Sequence, residues 1–463
     1  MDIDRNMIDG IVKKVLENLN EHLESAGQYL FDTPAKAIEA AKTAQKRLSF
    51  MPLEERGRII ESIRNAARKN ARNLAEIAYK ETGYGRVSDK IVKNTVAADL
   101  TPGIEDLVST AYRGDYGLTL VEMAPFGVIA SVTPSTNPTS SVINNAISMI
   151  AAGNAVVFNP HPSAKKCSQE AIKMVNEAVV AAGGPNALVS CLREPSLEGS
   201  LEIMRHPDVR LLSVTGGEAV VKVAMGTGKK VIAAGPGNPP VIVDDTANIK
   251  KAAKDIVDGA SFDNCVLCVA EKEVFVFDNV ADRLMEEMVK NGAFLAKGEE
   301  VEKICRTALV QKDGKYTINR KYVGKDAGVI LRDSGVSFAG EPRLVIADVE
   351  LDHPFVMVEM LMPVMGINRV PNIDEAIRRA LYAEGGCKHS AMIHSTNIKN
   401  LTAAAKALNT TIFVKNASSA AGFGVGGEGY TTLTIATPTG EGLTSAKSFT
   451  RARRCVLYGD FGV

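Results

Sequence analysis

The sequence predicts an α/β fold in which parallel β-sheets are covered by helices on both faces. Short apolar runs alternate with helical stretches, as where GVIASV (127–132) precedes a helical pattern over 138–153. The joints are short and contain glycine or proline, which favours parallel strands with crossover helices. At 463 residues the chain is too long for one core, so we expect two or three domains.

The chain up to about Leu107 is predicted to be mainly helical. Residues 1–20 place their apolar side chains on one helical face, which predicts an amphipathic helix, and 21–33 has the weak periodicity of a linker. Such a helix either docks on a partner or packs on its own domain, and the sequence leaves both open. A longer helical pattern begins at Pro34 and is broken by Gly83 and Gly85.

Four loops are expected at the ligand-binding edge of the first sheet. Parallel sheets covered on both faces bind ligands beyond the carboxyl ends of their strands. The loops that follow predicted strands there are TPSTNP (133–138), NPHP (159–162), VTGG (214–217) and AGPGNP (234–239). We therefore predict that a ligand contacts several of them.

A second α/β pattern begins at VIVDD (241–245) and continues to TTIFVKN (410–416), which predicts a second domain. The tail, 431–463, alternates apolar and polar residues in the manner of edge strands. Exposed strand edges tend to be paired or covered, so we expect the tail to dock on another domain or subunit.

Composition excludes several classes of partner. The 54 basic and 54 acidic residues balance, so no net charge attracts nucleic acid or an anionic membrane. Glu122 interrupts the longest apolar run, so no membrane span is predicted. Seven scattered cysteines and the absence of a hydrophobic signal peptide indicate a reducing cytoplasm.

Cys268 is the candidate nucleophile. It stands between a loop of small and polar residues and the strand-like EVFVF, and a cysteine thiolate can attack a carbonyl and hold the acyl group as a thioester. The alternative is a buried structural cysteine. Cys265 completes a CxxC with Cys268, which could form a regulatory disulfide, although nothing in the sequence supplies a second half for a metal site.

Two further patterns carry less weight. Residues 424–429 match GxGxxG, but a strand-like segment follows them where a dinucleotide-binding motif requires a helix. The six histidines show no metal-ligand spacing, so metal catalysis is not expected.

Several ordered segments, from about residue 30 to the end, resemble the CoA-acylating aldehyde dehydrogenases, and most of all the propionaldehyde and acetaldehyde enzymes of bacterial microcompartments. They include TPSTNPT, GNAVVFNPHPSAKKC, AGPGNPPVIVDDTA, GASFDNCVLCVAEKEVFVF and HPFVMVEMLMPV. The resemblance implies a Rossmann-type, doubly wound cofactor-binding domain (34–110 and 126–234), an α/β catalytic domain (235–430) and β oligomerisation strands (111–125 and 431–463).

The resemblance also assigns roles to individual residues. Cys268 matches the family nucleophile, and Asn137 matches the residue whose amide stabilises the oxyanion together with the Cys268 backbone N–H. Glu359 matches the carboxylate that binds the nicotinamide ribose. The remaining cofactor-binding positions are Thr215, Gly216 and Gly217 beside the phosphates and Asn159, Pro160 and His161 on the adenosine side, although His161 could equally be structural.

Two departures from the hydrolytic aldehyde dehydrogenases bear on the reaction. Those enzymes carry a water-activating Glu about 34 residues before the nucleophile, and alignment places Ala234 there. Without that carboxylate, an acyl thioester is expected to persist until a thiol such as coenzyme A attacks it. Asn159 stands where the hydrolytic enzymes have a Lys that binds the adenosine ribose. The preference for NAD or NADP is therefore left open.

The resemblance thus implies NAD-dependent oxidation of a short-chain aldehyde and CoA to acyl-CoA. Propionaldehyde is the expected substrate, with acetaldehyde or butyraldehyde as alternatives. A homo-oligomer (dimer or tetramer) is implied, and residues 1–20 resemble encapsulation peptides that bind a microcompartment shell or core protein. A hydrolytic enzyme that releases free acid and a noncatalytic scaffold remain alternatives.

Overall fold

A computed structural model describes residues 28–312 and 314–459. The amphipathic helix predicted for 1–20 lies outside the described residues, as does most of the predicted linker. The described chain contains two large parallel sheets and a smaller antiparallel sheet. The predicted α/β class is therefore confirmed.

The amino-terminal part of the chain forms the first large sheet and its helices. In chain order its elements are β1 (Leu30–Phe31), α1 (Pro34–Leu48), α2 (Leu53–Thr82), α3 (Val87–Leu100), β2 (Thr110–Gly114), β3 (Gly117–Pro125), β4 (Val128–Thr133), α4 (Pro138–Ala151), β5 (Ala155–Pro160), α5 (Lys165–Ala181), β6 (Val189–Leu192), α6 (Leu197–Arg205), β7 (Val209–Thr215), α7 (Glu218–Met225) and β8 (Lys230–Ala234).

The first sheet is doubly wound. Its six strands are parallel in the order β1-β6-β5-β4-β7-β8. Strands β5 and β6 are therefore added on one side of β4, and β7 and β8 on the opposite side. The crevice at such a change of direction, beyond the carboxyl ends of β4 and β7, is where this architecture binds ligands.

The carboxy-terminal part forms the second large sheet. Its elements are β9 (Pro240–Val243), α8 (Ile249–Ser261), β10 (Glu273–Phe277), α9 (Asp278–Lys290), β11 (Ala293–Ala296), α10 (Glu299–Ala308), β12 (Leu309–Lys312), β13 (Lys315–Ile318), α11 (Ala327–Asp333), β14 (Leu344–Asp348), α12 (Pro354–Met357), β15 (Val364–Val370), α13 (Ile373–Glu384), β16 (Ser390–His394), α14 (Ile398–Leu408), β17 (Ile412–Lys415), α15 (Ser419–Gly422), β18 (Ile435–Ala436), β19 (Gly442–Leu443) and β20 (Thr450–Tyr458).

Seven of these strands are parallel in the order β11-β14-β15-β10-β9-β16-β17. The central strands β9 and β10 are buried along almost their whole length, as expected for strands covered on both faces. The segment that carries Cys268 connects α8 to β10, so the candidate nucleophile lies at the amino end of a central strand.

The third sheet is antiparallel and joins distant parts of the chain. Its order is β2-β3-β20, and the register runs from Thr450 opposite Pro125 to Tyr458 opposite Gly117. Strands β2 and β20 are almost entirely exposed. This sheet contains the 111–125 segment and the end of the tail that were predicted to mediate oligomerisation.

Two predicted boundaries differ from the structure. Leu30–Phe31, inside the predicted linker, pairs with β6, because a non-local backbone partner can recruit a segment too short to show periodicity. Most of 431–449 is not strand. It packs on the first sheet, where Leu433 N donates to Asn144 Oδ1 and Ala233 N donates to Thr439 Oγ1. Within the tail, the long strand is therefore confined to β20.

Candidate active site

A cavity of about 790 Å³ opens between the first sheet and the segment before β10. All four loops predicted at the carboxyl ends of β4, β5, β7 and β8 contribute to its lining, together with residues 266–269. The four loops therefore surround one cavity, and contact of a ligand with them stays a prediction.

Cys268 is half-buried and lines this cavity. The preceding turn is unusual, because Asp263, Asn264 and Cys265 have φ angles of 46°, 52° and 64°. Three consecutive residues other than glycine in the left-handed region are costly and persist only where surrounding contacts hold them. The backbone conformation of residues 263–265 therefore depends on contacts with other parts of the chain.

The surroundings of Cys268 disfavour its thiolate form. Burial is the main cause that raises its pKa, to about 12, and the negative charge of Glu359 adds to it. Lys272 and Lys93 lower the pKa but do not offset the burial. Attack on a carbonyl therefore requires a group that takes the thiol proton.

Glu359 follows α12 and also lines the cavity. Its Oε1 accepts a 3.4 Å hydrogen bond from the backbone N–H of Gly237. Burial raises the pKa of Glu359 and the charge of Lys272 opposes that rise. Among the described residues that line the cavity, Glu359 has the only carboxylate. It is therefore the group placed to accept a proton, or a hydrogen bond from a ribose hydroxyl, in the cavity.

Asn137 stands immediately before α4 and is 6% exposed. Asparagine often caps a helix with its side chain, but Asn137 makes no such hydrogen bond. Its Oδ1 instead accepts a 2.6 Å hydrogen bond from Lys93 Nζ, and its Nδ2 donates to Thr136 Oγ1 at 3.2 Å. The amide therefore bonds to Lys93 and Thr136 rather than capping the helix, and Asn137 lines the cavity.

The residues predicted to contact the cofactor phosphates follow β7. Thr215, Gly216 and Gly217 line the cavity, and α7 begins directly after Gly217 without a side-chain cap. The unpaired N–H groups and the dipole of a helix amino terminus favour anions. A Cβ on Gly217 would meet nothing within 4 Å, so its backbone is open to a ligand.

The residues after β5 provide unsatisfied polar groups. Asn159 is buried, and its Oδ1 accepts a 3.1 Å hydrogen bond from Ser200 Oγ. Asn159 and Thr133 line the cavity, and their buried Nδ2 and Oγ1 atoms have no hydrogen-bond partner among the described residues. Buried polar groups are rarely left unpaired, so a side-chain movement that let a ligand hydroxyl reach these atoms would satisfy them.

Pro160 and His161 border the same end of the cavity. His161 Nδ1 accepts a hydrogen bond from the backbone N–H of Ser163 at 3.2 Å, so part of its role is structural. Burial and the charge of Arg320 lower the pKa of His161. Arg320 lines the cavity from the second domain and places a positive charge at this end.

Ala234 ends β8, is buried and lines the cavity that contains Cys268. The position aligned with the water-activating carboxylate of hydrolytic enzymes therefore presents a methyl group to the site. A methyl group cannot accept a proton from water.

Cys265 lies behind the nucleophile and does not line the cavity. Its Sγ is 3.2 Å from Lys272 Nζ, which also donates to the carbonyls of Cys265 and Met360. All cysteines among the described residues are free thiols. A regulatory disulfide between Cys265 and Cys268 stays a prediction, and its formation has to displace the Lys272 contact.

The sequence interpretation missed a buried ionic cluster, formed by Lys90, Lys93 and Asp263, that contacts Asn137. Lys90 and Lys93 lie on α3 and are almost fully buried with Asn94, Ala97 and Ala98. These positions follow helical spacing, so two lysines on the small, apolar face of a helix were the available signal. Buried lysines require partners, and the partner here is distant in sequence.

Three negative findings concern the described residues. No group of three or more His, Cys, Asp or Glu side chains in 28–312 and 314–459 could hold a metal ion. No helix in this part of the chain combines the length and apolar character that a membrane crossing requires. No helix begins between residues 424 and 434, so the GxGxxG match there lacks the context of a dinucleotide motif.

The sequence matches known proteins along most of its length. The model of the aldehyde dehydrogenase family matches residues 30–436. Acetaldehyde dehydrogenase (acetylating) EutE of Salmonella typhimurium is 48% identical over 463 residues, which cover 98% of this chain and 99% of the relative.

Two solved structures share this fold. Propionaldehyde dehydrogenase from the Clostridium phytofermentans fucose utilisation bacterial microcompartment is 47% identical, with a TM-score of 0.90. Rhodopseudomonas palustris propionaldehyde dehydrogenase, solved with bound CoA and an acylated cysteine, is 46% identical with a TM-score of 0.90. Each match covers 93% of this chain and 98% of the other.

Proposed function

The chain belongs to the aldehyde dehydrogenase family as a CoA-acylating member, and from that premise we propose that it converts propionaldehyde, CoA and NAD into propionyl-CoA. The observation that carries this proposal is Ala234 in the cavity of Cys268. A thioester formed on that sulfur faces no carboxylate at the end of β8 that could activate water, so a thiol is the nucleophile that releases it.

The first bond forms between Cys268 Sγ and the aldehyde carbon. The thiol proton leaves as the bond forms, and Glu359 is the carboxylate in the cavity lining that accepts it. Negative charge develops on the aldehyde oxygen, where Asn137 Nδ2 and the Cys268 backbone N–H donate hydrogen bonds. These two donors stabilise the oxyanion and orient the carbon for oxidation.

The cofactor is held by residues of the first domain and by Glu359. Thr215, Gly216 and Gly217 contact its phosphates, and Asn159, Pro160 and His161 border its adenosine. NAD, when bound, supplies the hydride acceptor that this oxidation requires. The unsatisfied Asn159 Nδ2 supports a ribose contact, and NADP remains an alternative because Asn159 replaces the ribose-binding Lys of hydrolytic relatives.

Release of the product regenerates the nucleophile. The CoA thiolate attacks the carbonyl carbon of the thioester, the bond from that carbon to Cys268 breaks, and Cys268 leaves as thiolate. Asn137 and the Cys268 N–H stabilise the second oxyanion as they did the first.

Propionaldehyde is favoured over acetaldehyde and butyraldehyde, because both solved structures described above are propionaldehyde enzymes. The similarity to an acetylating acetaldehyde enzyme keeps the two-carbon substrate as the second candidate. The test is NADH release with C2, C3 and C4 aldehydes, each with and without CoA, together with product identification. Free acid formed at the same rate without CoA contradicts the proposal and indicates the hydrolytic reaction.

A homo-oligomer is expected to form through the third sheet. Strand β20 exposes Val456, Leu457 and Tyr458, and Tyr112 on β2 and Tyr116 in the turn between β2 and β3 are also exposed. A strand edge with large exposed apolar side chains is normally covered. Light scattering should give a dimer or tetramer for the wild type and a smaller species for Leu457→Glu, and a monomeric wild type contradicts this expectation.

Residues 1–20 are proposed to bind a shell or core protein of a bacterial microcompartment. Their amphipathic sequence and the microcompartment origin of a relative at 47% identity support this placement. A chain without 1–20 should keep its activity but no longer co-purify with microcompartments. Loss of folding in that variant supports packing on the chain's own domain instead.

A further inference from the structure

We propose that Lys93 is a positioning residue that holds the Asn137 amide with Nδ2 available to the aldehyde oxygen, and that Asp263 couples this alignment to the Cys268 segment. The inference rests on the proposed function, since it concerns the oxyanion formed in that reaction. It assigns a role to a buried lysine that contacts neither substrate nor cofactor.

The chemistry of Lys93 decides which way the amide faces. An ammonium group donates hydrogen bonds and accepts none, so the Asn137 atom 2.6 Å from Lys93 Nζ is the oxygen. The nitrogen of the same planar amide then lies on the other side. In the reverse orientation Asn137 Nδ2 would face the Lys93 ammonium group. The hydrogen bond between the two side chains would be lost, and two donor groups would point at each other.

Little else among the described contacts fixes this orientation. Nδ2 donates to Thr136 Oγ1 at 3.2 Å, and a hydroxyl also donates, so Thr136 tolerates either orientation. Without Lys93, Asn137 gains the alternative of capping α4 with its Oδ1, since Asn is a favoured residue at that position. Either change moves the donor away from the aldehyde oxygen.

Asp263 places the charge of Lys93 against the nucleophile segment. Lys93 Nζ forms a short ion pair with Asp263 Oδ2, and Lys90 Nζ lies 3.0 Å from the same oxygen. Burial lowers the pKa of Lys93 to about 8, and Asp263 opposes that effect. Lys93 thus bonds both to Asp263, five positions before Cys268, and to Asn137, which directly precedes α4.

The residues at the amino end of α3 complete this connection. Arg86 N donates to Asp263 Oδ1 at 2.7 Å, and Asp263 N donates to Asp89 Oδ2 at 2.8 Å. Gly85 has a φ of 69°, and a Cβ there would lie 1.8 Å from Asp263 Oδ1. Several contacts therefore stabilise the left-handed conformation of Asp263. They fix the position of its carboxylate, and so the position of Lys93 relative to the segment that carries Cys268.

Lys90 provides a matched control. Both lysines are almost fully buried and pair with the same carboxylate oxygen, but among the described contacts only Lys93 reaches Asn137. Lys93→Met should lower kcat by roughly 10- to 100-fold, less than the complete loss of an oxyanion donor. Lys90→Met should lower kcat by no more than a few-fold. The KM for CoA should change little in either variant.

The Asn137→Ala background separates orientation from folding. If Lys93 acts through Asn137, adding Lys93→Met to Asn137→Ala should lower kcat by less than about twofold. Equal losses in Lys93→Met and Lys90→Met, or a full additional loss in the double variant, overturn the inference. If the Met variants do not fold, Lys93→Gln and Lys90→Gln serve in the same comparison.

Wild-type activity distinguishes the two levels of the proposal. No CoA-dependent NADH release by the wild type means that the proposed function fails. An active wild type whose Lys93 and Lys90 variants behave alike means that only the positioning role fails.

Discussion

Ala234 and Cys268 line the same cavity although one ends β8 in the first sheet and the other precedes β10 in the second sheet. This relationship determines what happens to an acyl group on the sulfur. A small apolar side chain stands where hydrolysis requires a base, so the lifetime of the thioester depends on the supply of thiol.

Ala234→Glu should divert product from acyl-CoA toward free acid. A carboxylate at that position can deprotonate water, and general base catalysis contributes roughly 10²- to 10⁴-fold. The measurement is the ratio of acid to acyl-CoA at fixed CoA concentration, with Ala234→Gln as a control of similar size. An unchanged yield of CoA ester in the Glu variant contradicts the assigned reason for CoA dependence.

Cys268→Ala should abolish aldehyde oxidation, because no other thiol among the described residues lines the cavity. Cys265→Ala is the matched control. It removes the 3.2 Å contact to Lys272 Nζ but leaves both backbone acceptors of that lysine. We expect Cys265→Ala to retain most of its NADH release. A burst of NADH from Cys268→Ala would show that another group is acylated.

Glu359→Gln should increase the reactivity of Cys268 toward a neutral alkylating reagent while weakening cofactor binding. The Glu359 charge raises the pKa of Cys268, so removing it lowers that pKa and increases the thiolate fraction at a given pH. The measurement is the alkylation rate of Cys268 against pH without cofactor, followed at that residue by peptide mass spectrometry because Cys387 and Cys455 are also accessible free thiols. A rate profile shifted to higher pH is incompatible with this electrostatic role.

Acid should destabilise the protein through buried histidines. Burial lowers the pKa of His389 and of His394 to about 4, against 6.5 when unfolded. Between these values the unfolded chain binds more protons, so stability falls as pH drops from 6.5 toward 4, by about 3 kcal/mol for each histidine.

His394→Gln tests this effect. The variant should lose less unfolding free energy than the wild type between pH 7 and pH 4.5. Burial also raises the pKa of Glu271 to about 7, which favours the folded state on acidification, but this contribution is common to both proteins and cancels in their difference. Parallel curves for the two proteins contradict the prediction.

Local sequence patterns predicted much of the fold. Alternation of apolar runs with helical periods predicted strands β4 to β8, and short joints predicted their parallel arrangement. Leu30–Phe31 and 431–449 were assigned incorrectly for one reason. Their conformation depends on partners far away in sequence, β6 and α4 respectively, and local periodicity contains no information about such partners.

The sequence by itself determined the reacting group and the absence of a water-activating carboxylate, because both are properties of single positions in recognisable segments. The tertiary structure decided how the site is aligned. Lys93 and Asp263 are separated by 170 residues, and no local pattern identifies them as partners before the fold buries both. Burial removes water from these charges, so each requires the other, and this requirement brings Asn137 and the Cys268 segment together.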